Sequence, residues 1–357
     1  MRDSSKAGRL DQWILYSDNL ELAKEYVTEE IKDQLSRNYF NVKIWHIALS
    51  LGMNSFVRDI LKLCQPKKDR LYYSLQFRLD RFYGEANPYS NLYPDYSIEE
   101  ASKIIEEQVN KGMLRVALNG GLGDQLEAIS VLKPLANKVG ARLELDLNEN
   151  SRRIISSSLD RSKISVSQKI GINYSFIRFW MCNIKYEAIY SSWLTQFESN
   201  NRKDNYFLFC WQARGKGDKF SSHSRSVSFT DIMMFYKEIH SRFKNPNIVD
   251  ITNWNVWERK SINKMKINEY DPLNYDMSTL SKMIDGRTVI TIDTALAHLC
   301  AAKGKKAYLL LPMFPDERWE ELQKKENSYG SNLTIIRQSK FNNWQNELVK
   351  VIKFMQD

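Results

Sequence analysis

The chain has 357 residues, of which 43% are hydrophobic and 27% are charged. This length fits two or three domains, and the composition is that of globular proteins, which excludes collagen-like, coiled-coil and disordered chains. Lys and Arg number 52 against 43 Asp and Glu, and the net charge of +9 suits an anionic partner. A phosphate ligand, a nucleic acid and an anionic membrane surface all meet that description.

The cysteines lie far apart in the sequence and form no CxxC pair; they are Cys64, Cys182, Cys210 and Cys300. The sequence therefore predicts no zinc site, and it predicts thiols that stay reduced in a cytoplasmic protein. Its N-terminus lacks the apolar run of a signal peptide, and no segment reaches the roughly 18 apolar residues of a membrane span. We predict a cytoplasmic location, no transmembrane segment, and only peripheral contact with any membrane.

Residues 1–111 are predicted to form an all-α N-terminal region. Apolar residues recur there at helical spacing, as at Trp45 and Leu49. Ser97 and Glu100 form a capping-box pattern that begins the last helix of this region.

The pattern changes to that of an α/β domain over residues 112–203. Met113–Leu118 is a short apolar strand, and the glycine-rich segment Asn119–Asp124 follows it and begins a helix. Ala141–Leu147 supplies a second strand. Strand, glycine turn and helix in this order are typical of nucleotide-binding folds.

A second α/β unit is predicted over residues 204–340, with a closing helix over 341–357. Strands at Tyr206–Trp211, Thr288–Ile292 and Ala307–Leu311 alternate with helices. Alternation of this kind predicts a parallel, doubly wound sheet that binds ligands at the carboxyl ends of its strands. The apolar face of the closing helix is compatible with packing on either unit.

The first candidate site is the turn Asn119–Asp124. Its three glycines allow positive φ angles and the close approach of a ligand. The spacing GGxGD differs from the GxGxxG of dehydrogenases and the GxxxxGK[ST] of P-loop enzymes. Asp124 stands at the helix start, where an Asp more commonly serves only to cap the helix.

The second candidate site is Thr291–His298. Asp293 and Thr294 begin a helix after a buried strand, and His298 follows Thr294 by four residues, so both side chains share one helix face. Free amides beside an imidazole can hold a diphosphate without a metal. The alternative is a capping Asp with a His that is satisfied within the fold. Because Asp293 would repel a phosphate directly beside it, a functional Asp293 is expected to bind sugar hydroxyls or to hold the turn.

The third candidate is the loop that follows Trp211. It is rich in basic and polar side chains, namely Gln212, Arg214, Lys216, Lys219, His223 and Arg225. A basic loop at the carboxyl end of a strand can close on phosphates, or it can be an ordinary solvated loop.

From Met113 onward the chain resembles GT-B glycosyltransferases related to the ADP-heptose:lipopolysaccharide heptosyltransferases. It is most similar to the glycosyltransferase-like domains of bacterial tetratricopeptide-repeat proteins, although residues 1–111 carry no tetratricopeptide signature. The resemblance extends over about residues 113–340 and rests on short segments in matching order. These are Gly121–Asp124, Gly140–Leu145, Ile292–Leu299, Leu309–Pro312 and Pro315–Trp319, where Glu317 replaces an aromatic residue of the family motif.

The resemblance implies an α/β fold of GT-B type, with two Rossmann-like doubly wound domains that face each other across a cleft. The all-α N-terminal region is added to this fold. It implies an inverting, metal-independent glycosyltransferase of hexosyl- or heptosyltransferase type. The donor is a nucleotide-diphosphate sugar, which is a substrate rather than a cofactor, and the acceptor is a glycan, a lipid-linked glycan or a protein.

The resemblance also implies roles for individual residues. Asp124 is the catalytic base toward the acceptor. Lys219 is the first match for a phosphate-binding loop cation, and Arg225 is the second. The full set of donor-binding residues is Gly121, Gly123, Arg214, Lys219, Arg225, Asp293, Thr294, Ala295 and His298.

An alternative of another class is a catalytically inactive binding or scaffold protein that keeps the GT-B fold. Its helical region would then recruit a partner. Nucleic-acid binding is disfavoured, because the sequence lacks the interleaved aromatic and basic residues of an RNA-recognition sheet.

Overall fold

The computed structural model describes most of the chain. Arg214, Lys216, Lys219, His223 and Glu317, which figure in the sequence-based expectations, lie outside the described residues. The described residues are 19–37, 42–64, 70–83, 88–93, 95–147, 151–152, 155, 164–167, 171–184, 193–194, 205–213, 224–265, 267–269, 277–316, 318–319 and 332–356.

Four helices near the N-terminus form what we call the helical cluster. Their apolar faces bury a common core that includes Val27, Trp45 and Leu75, as the helical spacing of the sequence predicts. The helices are α1 (Leu20–Ser36), α2 (Val42–Ser50), α3 (Asn54–Cys64) and α4 (Arg70–Tyr83).

The first α/β unit is built on a parallel sheet with the strand order β3-β2-β1-β4. Its helix α5 begins with the predicted capping box, in which the Ser97 hydroxyl and the Glu100 carboxylate each accept a backbone amide. Although α5 lies within residues 1–111, it packs on β1 and α7 and belongs to the core of this sheet. The elements are α5 (Ile98–Val109), β1 (Met113–Ala117), α6 (Leu122–Lys138), β2 (Arg142–Asp146), β3 (Ile164–Ser167), β4 (Ile172–Asn173) and α7 (Tyr174–Asn183).

The second α/β unit is built on a parallel sheet with the strand order β10-β9-β8-β5-β6-β7. The order reverses between β5 and β8, and a ligand crevice is expected at such a switch point. The elements are β5 (Tyr206–Cys210), α8 (Phe229–Arg242), β6 (Asn247–Asp250), α9 (Val256–Asn263), β7 (Asn268–Glu269), α10 (Met277–Ile284), β8 (Thr288–Ile292), α11 (Ala295–Lys303), β9 (Ala307–Leu311), β10 (Leu333–Arg337) and α12 (Gln345–Gln356).

These two sheets confirm the predicted α/β fold of GT-B type, with two doubly wound units and additional N-terminal helices. The closing helix α12 packs on α8 and β10, so it belongs to the second unit. No helix in the described part of the chain combines the length and apolarity that crossing a bilayer requires.

Helix α11 is buried on every side. Its residues from Leu296 to Lys303 are all buried, which is typical of a helix that lies inside a protein. It packs on the strands of the second sheet and also on α6 of the first unit. Trp193 bridges the two helices, since its indole N–H donates to the Leu126 carbonyl at 3.2 Å and its amide donates to the Ala302 carbonyl at 2.8 Å. The two units therefore share one continuous core.

The helical cluster packs on the second unit. Phe341, from the segment after β10, is part of the core of the cluster. Phe314, from the segment after β9, lies against Gly52 in the turn between α2 and α3. Gly52 has a φ of +74°, and a Cβ at this position would overlap the Phe314 ring. The close approach therefore requires glycine.

We expect Gly52→Ala to destabilise the protein by about 1–3 kcal/mol more than Gly112→Ala, because only the first substitution overpacks an interface. Gly112 is a matched control, since its φ of +71° is similar and no atom would lie within 4 Å of its Cβ. Free energies of unfolding from urea denaturation measure the difference. Equal losses in the two variants would contradict the docking contact.

Candidate functional site

A cleft of about 600 Å³ lies at the carboxyl ends of the strands. Segments that follow β1, β5, β6, β8 and β9 line it, so both α/β units contribute, and it includes the switch point between β5 and β8. Ser50 and Arg78 reach it from the helical cluster. All three parts of the protein therefore meet at one cleft, at the position where doubly wound sheets bind ligands.

Eight of the ten site residues predicted from the sequence line this cleft. Arg214 and Lys219 are the other two, and they lie outside the described residues. The residues brought together are Gly121, Gly123, Asp124, Arg225, Asp293, Thr294, Ala295 and His298.

The N-terminus of α11 opens into the cleft. Thr294 is the N-cap residue, and its Oγ1 lies 3.0 Å from Oγ1 of Thr291 at the end of β8. Ala295 and Leu296 occupy the first two helical positions, where amides have no carbonyl partner within their own helix. These amides and the positive end of the helix dipole suit an anion such as a phosphate.

Arg225 neutralises Asp293 beside this helix end. Its Nη1 donates to Asp293 Oδ2 at 3.0 Å and to the Asp293 carbonyl at 3.2 Å. The Asp293 carboxylate is buried. The repulsion that a bare Asp293 would exert on a phosphate is therefore reduced by an adjacent cation that also lines the cleft.

The Asp124 carboxylate is held from two sides. Its Oδ2 accepts the Gly121 amide at 2.8 Å, across the first turn of α6. Its Oδ1 accepts a hydrogen bond from Nη1 of Arg318. The helix-capping role expected from its position is therefore present, and the same side chain also faces the cleft.

These contacts set the protonation of Asp124. Burial raises the pKa of this carboxyl, but the charge and hydrogen bond of Arg318 and the Gly121 amide together lower it by more. The resulting pKa lies below the usual Asp value. Asp124 is therefore ionised at neutral pH, but it is a weak proton acceptor for as long as Arg318 is bound to it.

Arg318 joins the two α/β units. Its Nε and Nη2 bind the Asp316 carboxylate of the same segment at 2.9 Å and 3.0 Å. Its Nη1 reaches Asp124 and also lies 3.5 Å from Oε2 of Glu127 on α6. Burial lowers the pKa of Arg318, but the surrounding carboxylates raise it well above its usual value. The sequence placed Arg318 and Asp316 in a family-like segment without indicating this bridge.

His298 is buried between Gly123 of α6 and Trp319. The ring centroids of His298 and Trp319 are 4.8 Å apart. A Cβ at Gly123 would lie 2.7 Å from Cδ2 of His298, so the glycine allows the two helices to meet. Burial lowers the pKa of His298, and the opposing effect of Glu127 is smaller. The imidazole is therefore neutral at pH 7, with one ring nitrogen as donor and one as acceptor.

A buried carboxylate holds the segment after β6, which lines the cleft through Ile251 and Asn253. Asp250 is fully buried and accepts hydrogen bonds from the Tyr236 hydroxyl, the Trp254 indole and the Thr252 amide, each at 2.7 Å. Burial raises the pKa of Asp250. Its partners occupy both oxygens, which indicates a supporting role for this residue beneath the cleft.

Across the described ranges, no group of three or more His, Cys, Asp or Glu side chains is arranged to hold a metal ion. No protein-family model matches the chain, and no curated protein matches it either.

Three solved structures align with part of this chain at low similarity. The E. coli heptosyltransferase WaaC, with ADP-2-deoxy-2-fluoro heptose, is 13% identical, with a TM-score of 0.45 over 69% of this chain and 100% of that chain. A family 9 glycosyl transferase from Veillonella parvula is 7% identical, with a TM-score of 0.43 over 67% and 91%. TibC, an iron-containing dodecameric glycosyltransferase from enterotoxigenic E. coli, is 10% identical, with a TM-score of 0.42 over 66% and 65%. At this similarity, only the geometry of the cleft itself bears on function.

The pH dependence of stability tests the contact between Asp124 and Arg318. Folding lowers the pKa of Asp124 from its usual 3.8. The ion pair therefore stabilises the native state above about pH 4, and this stabilisation is lost as the pH falls through the lower, native pKa. We expect Asp124→Asn to lower the free energy of unfolding by about 0.5–1 kcal/mol at pH 6. The effect is small because the Asp124 side chain is 44% exposed.

This difference should shrink toward pH 2. Urea denaturation of the wild type and of Asp124→Asn across pH 2–7 measures the difference in free energy of unfolding. Asn is the chosen replacement because its side-chain oxygen can still accept the Gly121 amide. A difference that stays constant or widens in acid would contradict the ion pair.

Proposed function

We propose that the protein is a glycosyltransferase of GT-B type that transfers a sugar from a nucleotide-diphosphate donor to an acceptor hydroxyl. One observation carries this proposal: the two turns at the starts of α6 and α11 converge on the same cleft. One turn provides the Asp124 carboxylate, and the other provides free helix amides beside Arg225. A proton acceptor and an anion site therefore face a common space.

In this proposal the donor diphosphate lies at the N-terminus of α11. The amides of Ala295 and Leu296 and the guanidinium of Arg225 stabilise its charge, so the transfer is proposed to be metal-independent. Arg214 and Lys219 are proposed as additional phosphate-binding cations from the loop after β5. His298 lines the cleft on the same side.

The proposed transfer is a single displacement. Asp124 accepts the proton of the acceptor hydroxyl, whose oxygen bonds to the anomeric carbon of the sugar. The bond from that carbon to the diphosphate breaks, and the leaving diphosphate keeps the electron pair. Attack from the face opposite the leaving group inverts the anomeric configuration. Arg318 must first release Asp124 Oδ1, because a carboxylate held by a guanidinium is a weak base.

A catalytically inactive binding protein is the second candidate. The pairing of Asp124 with Arg318 favours it, because this contact occupies the proposed base. This candidate predicts nucleotide binding without turnover. The cytoplasmic location and the class of acceptor remain predictions from the sequence.

A panel of ADP-, GDP-, UDP- and CMP-linked sugars tests the donor site by thermal shift. A ligand at 100 times its Kd stabilises the native state by about 2.7 kcal/mol, which corresponds to several degrees in Tm. We expect one nucleoside-diphosphate sugar to stabilise the wild type, and Arg225→Gln to weaken the shift relative to its own ligand-free Tm. A panel without any shift would refute the proposed function.

Turnover separates the two candidates. We expect Asp124→Asn to keep the donor shift and to lower kcat by about 10²- to 10⁴-fold. Asp231→Asn is a matched control, since Asp231 occupies the same third position of helix α8 and lies outside the cleft. Its activity should equal that of the wild type. Donor binding by a wild type that transfers nothing to glycan, lipid-linked or protein acceptors would favour the inactive binding protein.

A further inference from the structure

Glu127 lies on α6, three residues after Asp124, and both carboxylates face Arg318. Nη1 of Arg318 donates to Oδ1 of Asp124 and also lies 3.5 Å from Oε2 of Glu127. Residues three apart on a helix share one face, so a single guanidinium nitrogen can reach both side chains. The proposed transfer assigns Glu127 no role.

Asp316 anchors the other side of the Arg318 guanidinium. Its two carboxylate oxygens accept hydrogen bonds from Nε at 2.9 Å and from Nη2 at 3.0 Å. This is the bidentate geometry in which arginine holds a carboxylate most firmly. Burial raises the pKa of Asp316, but Arg318 lowers it by more, and Arg81 and Arg78 of α4 add to that effect. Asp316 is therefore ionised at neutral pH, and Nη1 is the nitrogen that can change its acceptor.

The two carboxylates beside Nη1 differ in exposure. The Asp124 side chain is 44% exposed and lines the cleft, whereas the Glu127 side chain is 12% exposed. Asp124 can therefore meet a substrate, while Glu127 lies behind it. Release of Asp124 would leave Nη1 without an acceptor in a partly buried position, at a cost in free energy, unless Glu127 accepts it.

A small movement is enough to transfer Nη1 to Glu127. A charge-assisted N–H···O hydrogen bond measures about 2.7–2.9 Å, so the present separation must shorten by less than about 1 Å. The two hydrogen bonds to Asp316 provide a pivot for this movement.

His298 of α11 is the other titratable group beside these residues. Burial lowers the pKa of His298, and Glu127 is the foremost of the charges that oppose this effect. Loss of the Glu127 charge would lower the pKa of His298 further, so the imidazole stays neutral at pH 7 in either case. Burial also lowers the pKa of Arg318, while Asp316, Glu127 and Asp124 together raise it. The guanidinium is therefore charged in both of its positions.

We propose that Glu127 is the second acceptor of Arg318, and that Nη1 moves from Asp124 to Glu127 when a substrate engages Asp124. Asp124 is then free to accept the proton of the acceptor hydroxyl. Nη1 returns once Asp124 has lost that proton to water. No covalent bond of Arg318 or Glu127 forms or breaks in this exchange. Glu127 is thus a positioning residue that regulates the proposed base. Its role in transfer rests on the proposed function, whereas the sharing of Arg318 does not.

A double-mutant cycle in urea at pH 6 tests the sharing without turnover. The proteins are the wild type, Asp124→Asn, Glu127→Gln and the double variant. Arg318 can turn to Glu127 when Asp124 loses its charge, but not when both carboxylates are absent. We expect Asp124→Asn to raise the equilibrium constant of unfolding about 3- to 10-fold more in the Glu127→Gln background than in the wild type. Additive effects would overturn the proposal.

The same cycle in an Arg318→Gln background separates sharing from repulsion between the two carboxylates. We expect the coupling to be lost there, because the guanidinium that both residues bind is absent. Coupling of undiminished size would indicate direct repulsion and overturn the proposal.

Glu144→Gln is the matched control for the change of charge. Glu144 lies on β2 of the same unit, pairs with Arg115 at 2.8 Å, and has a side chain that is 19% exposed. Its effect should add to that of Asp124→Asn. Coupling as large as that of Glu127 would indicate a general charge effect and overturn the proposal.

Transfer kinetics test the positioning role. Glu127→Gln should lower kcat about 5- to 10-fold and leave the KM for the donor unchanged, because a neutral amide accepts Nη1 less strongly than a carboxylate. Arg318 should then hold ionised Asp124 more firmly, so the acid limb of kcat/KM should move to lower pH, by up to about one unit. A packing role would leave that limb in place. An unchanged kcat and an unchanged acid limb would overturn the positioning role.

Glu127→Asp provides a second variant that does not depend on the folding of Glu127→Gln. It keeps the charge on a side chain that is one methylene shorter. We expect its kcat and its coupling to Asp124→Asn to lie between those of the wild type and Glu127→Gln. A loss of kcat with wild-type coupling would contradict the sharing of Arg318.

The two proposals fail separately. A wild type that transfers the sugar and is unaffected by Glu127→Gln would overturn the role of Glu127 and leave the proposed function standing. A protein that transfers nothing but shows the Arg318-dependent coupling would refute the proposed function and leave the sharing of Arg318 standing.

Discussion

Helices α6 and α11 meet where Gly123 lies against His298, and the packing of the two α/β units on each other depends on this contact. A side chain at Gly123 would push the helices apart, because even a Cβ would lie 2.7 Å from the imidazole. Each helix begins directly after a strand and a tight turn. Their packing therefore brings the first turns of both helices to one cleft. Because α11 is buried on all sides, the two α/β units share a continuous core around it rather than merely touching.

Charge in the cleft is balanced by pairs that cross between elements. Arg225 holds Asp293 beside the amides of α11, and Arg318 holds Asp124 beside Asp316. The first pair leaves the helix end suited to a phosphate. The second pair keeps the proposed base ionised but engaged, so the proposed transfer requires Arg318 to release it. Neutral His298 lies between these two pairs without adding charge.

The helical cluster contributes to the cleft itself. The contact between Gly52 and Phe314 fixes the position of the helical cluster on the second unit. Arg78 of the helical cluster lines the cleft. In the proposed transfer, this added wall would border the space that is open to the acceptor. Function here depends on the site and not on the fold alone.

Local patterns in the sequence were sufficient to predict helices near the N-terminus, two α/β units, and the turns Asn119–Asp124 and Thr291–His298. These features depend on neighbouring residues: the spacing of apolar side chains, glycines in turns, and residues that begin helices. Only the tertiary structure decided that α5 packs on the first sheet, that α12 packs on the second, and that Arg318 pairs with Asp124. That pair joins residues 194 positions apart. No local pattern encodes such a contact. The Arg318–Asp124 pair forms only when α6 and α11 have packed together and the segment after β9 lies against the first unit.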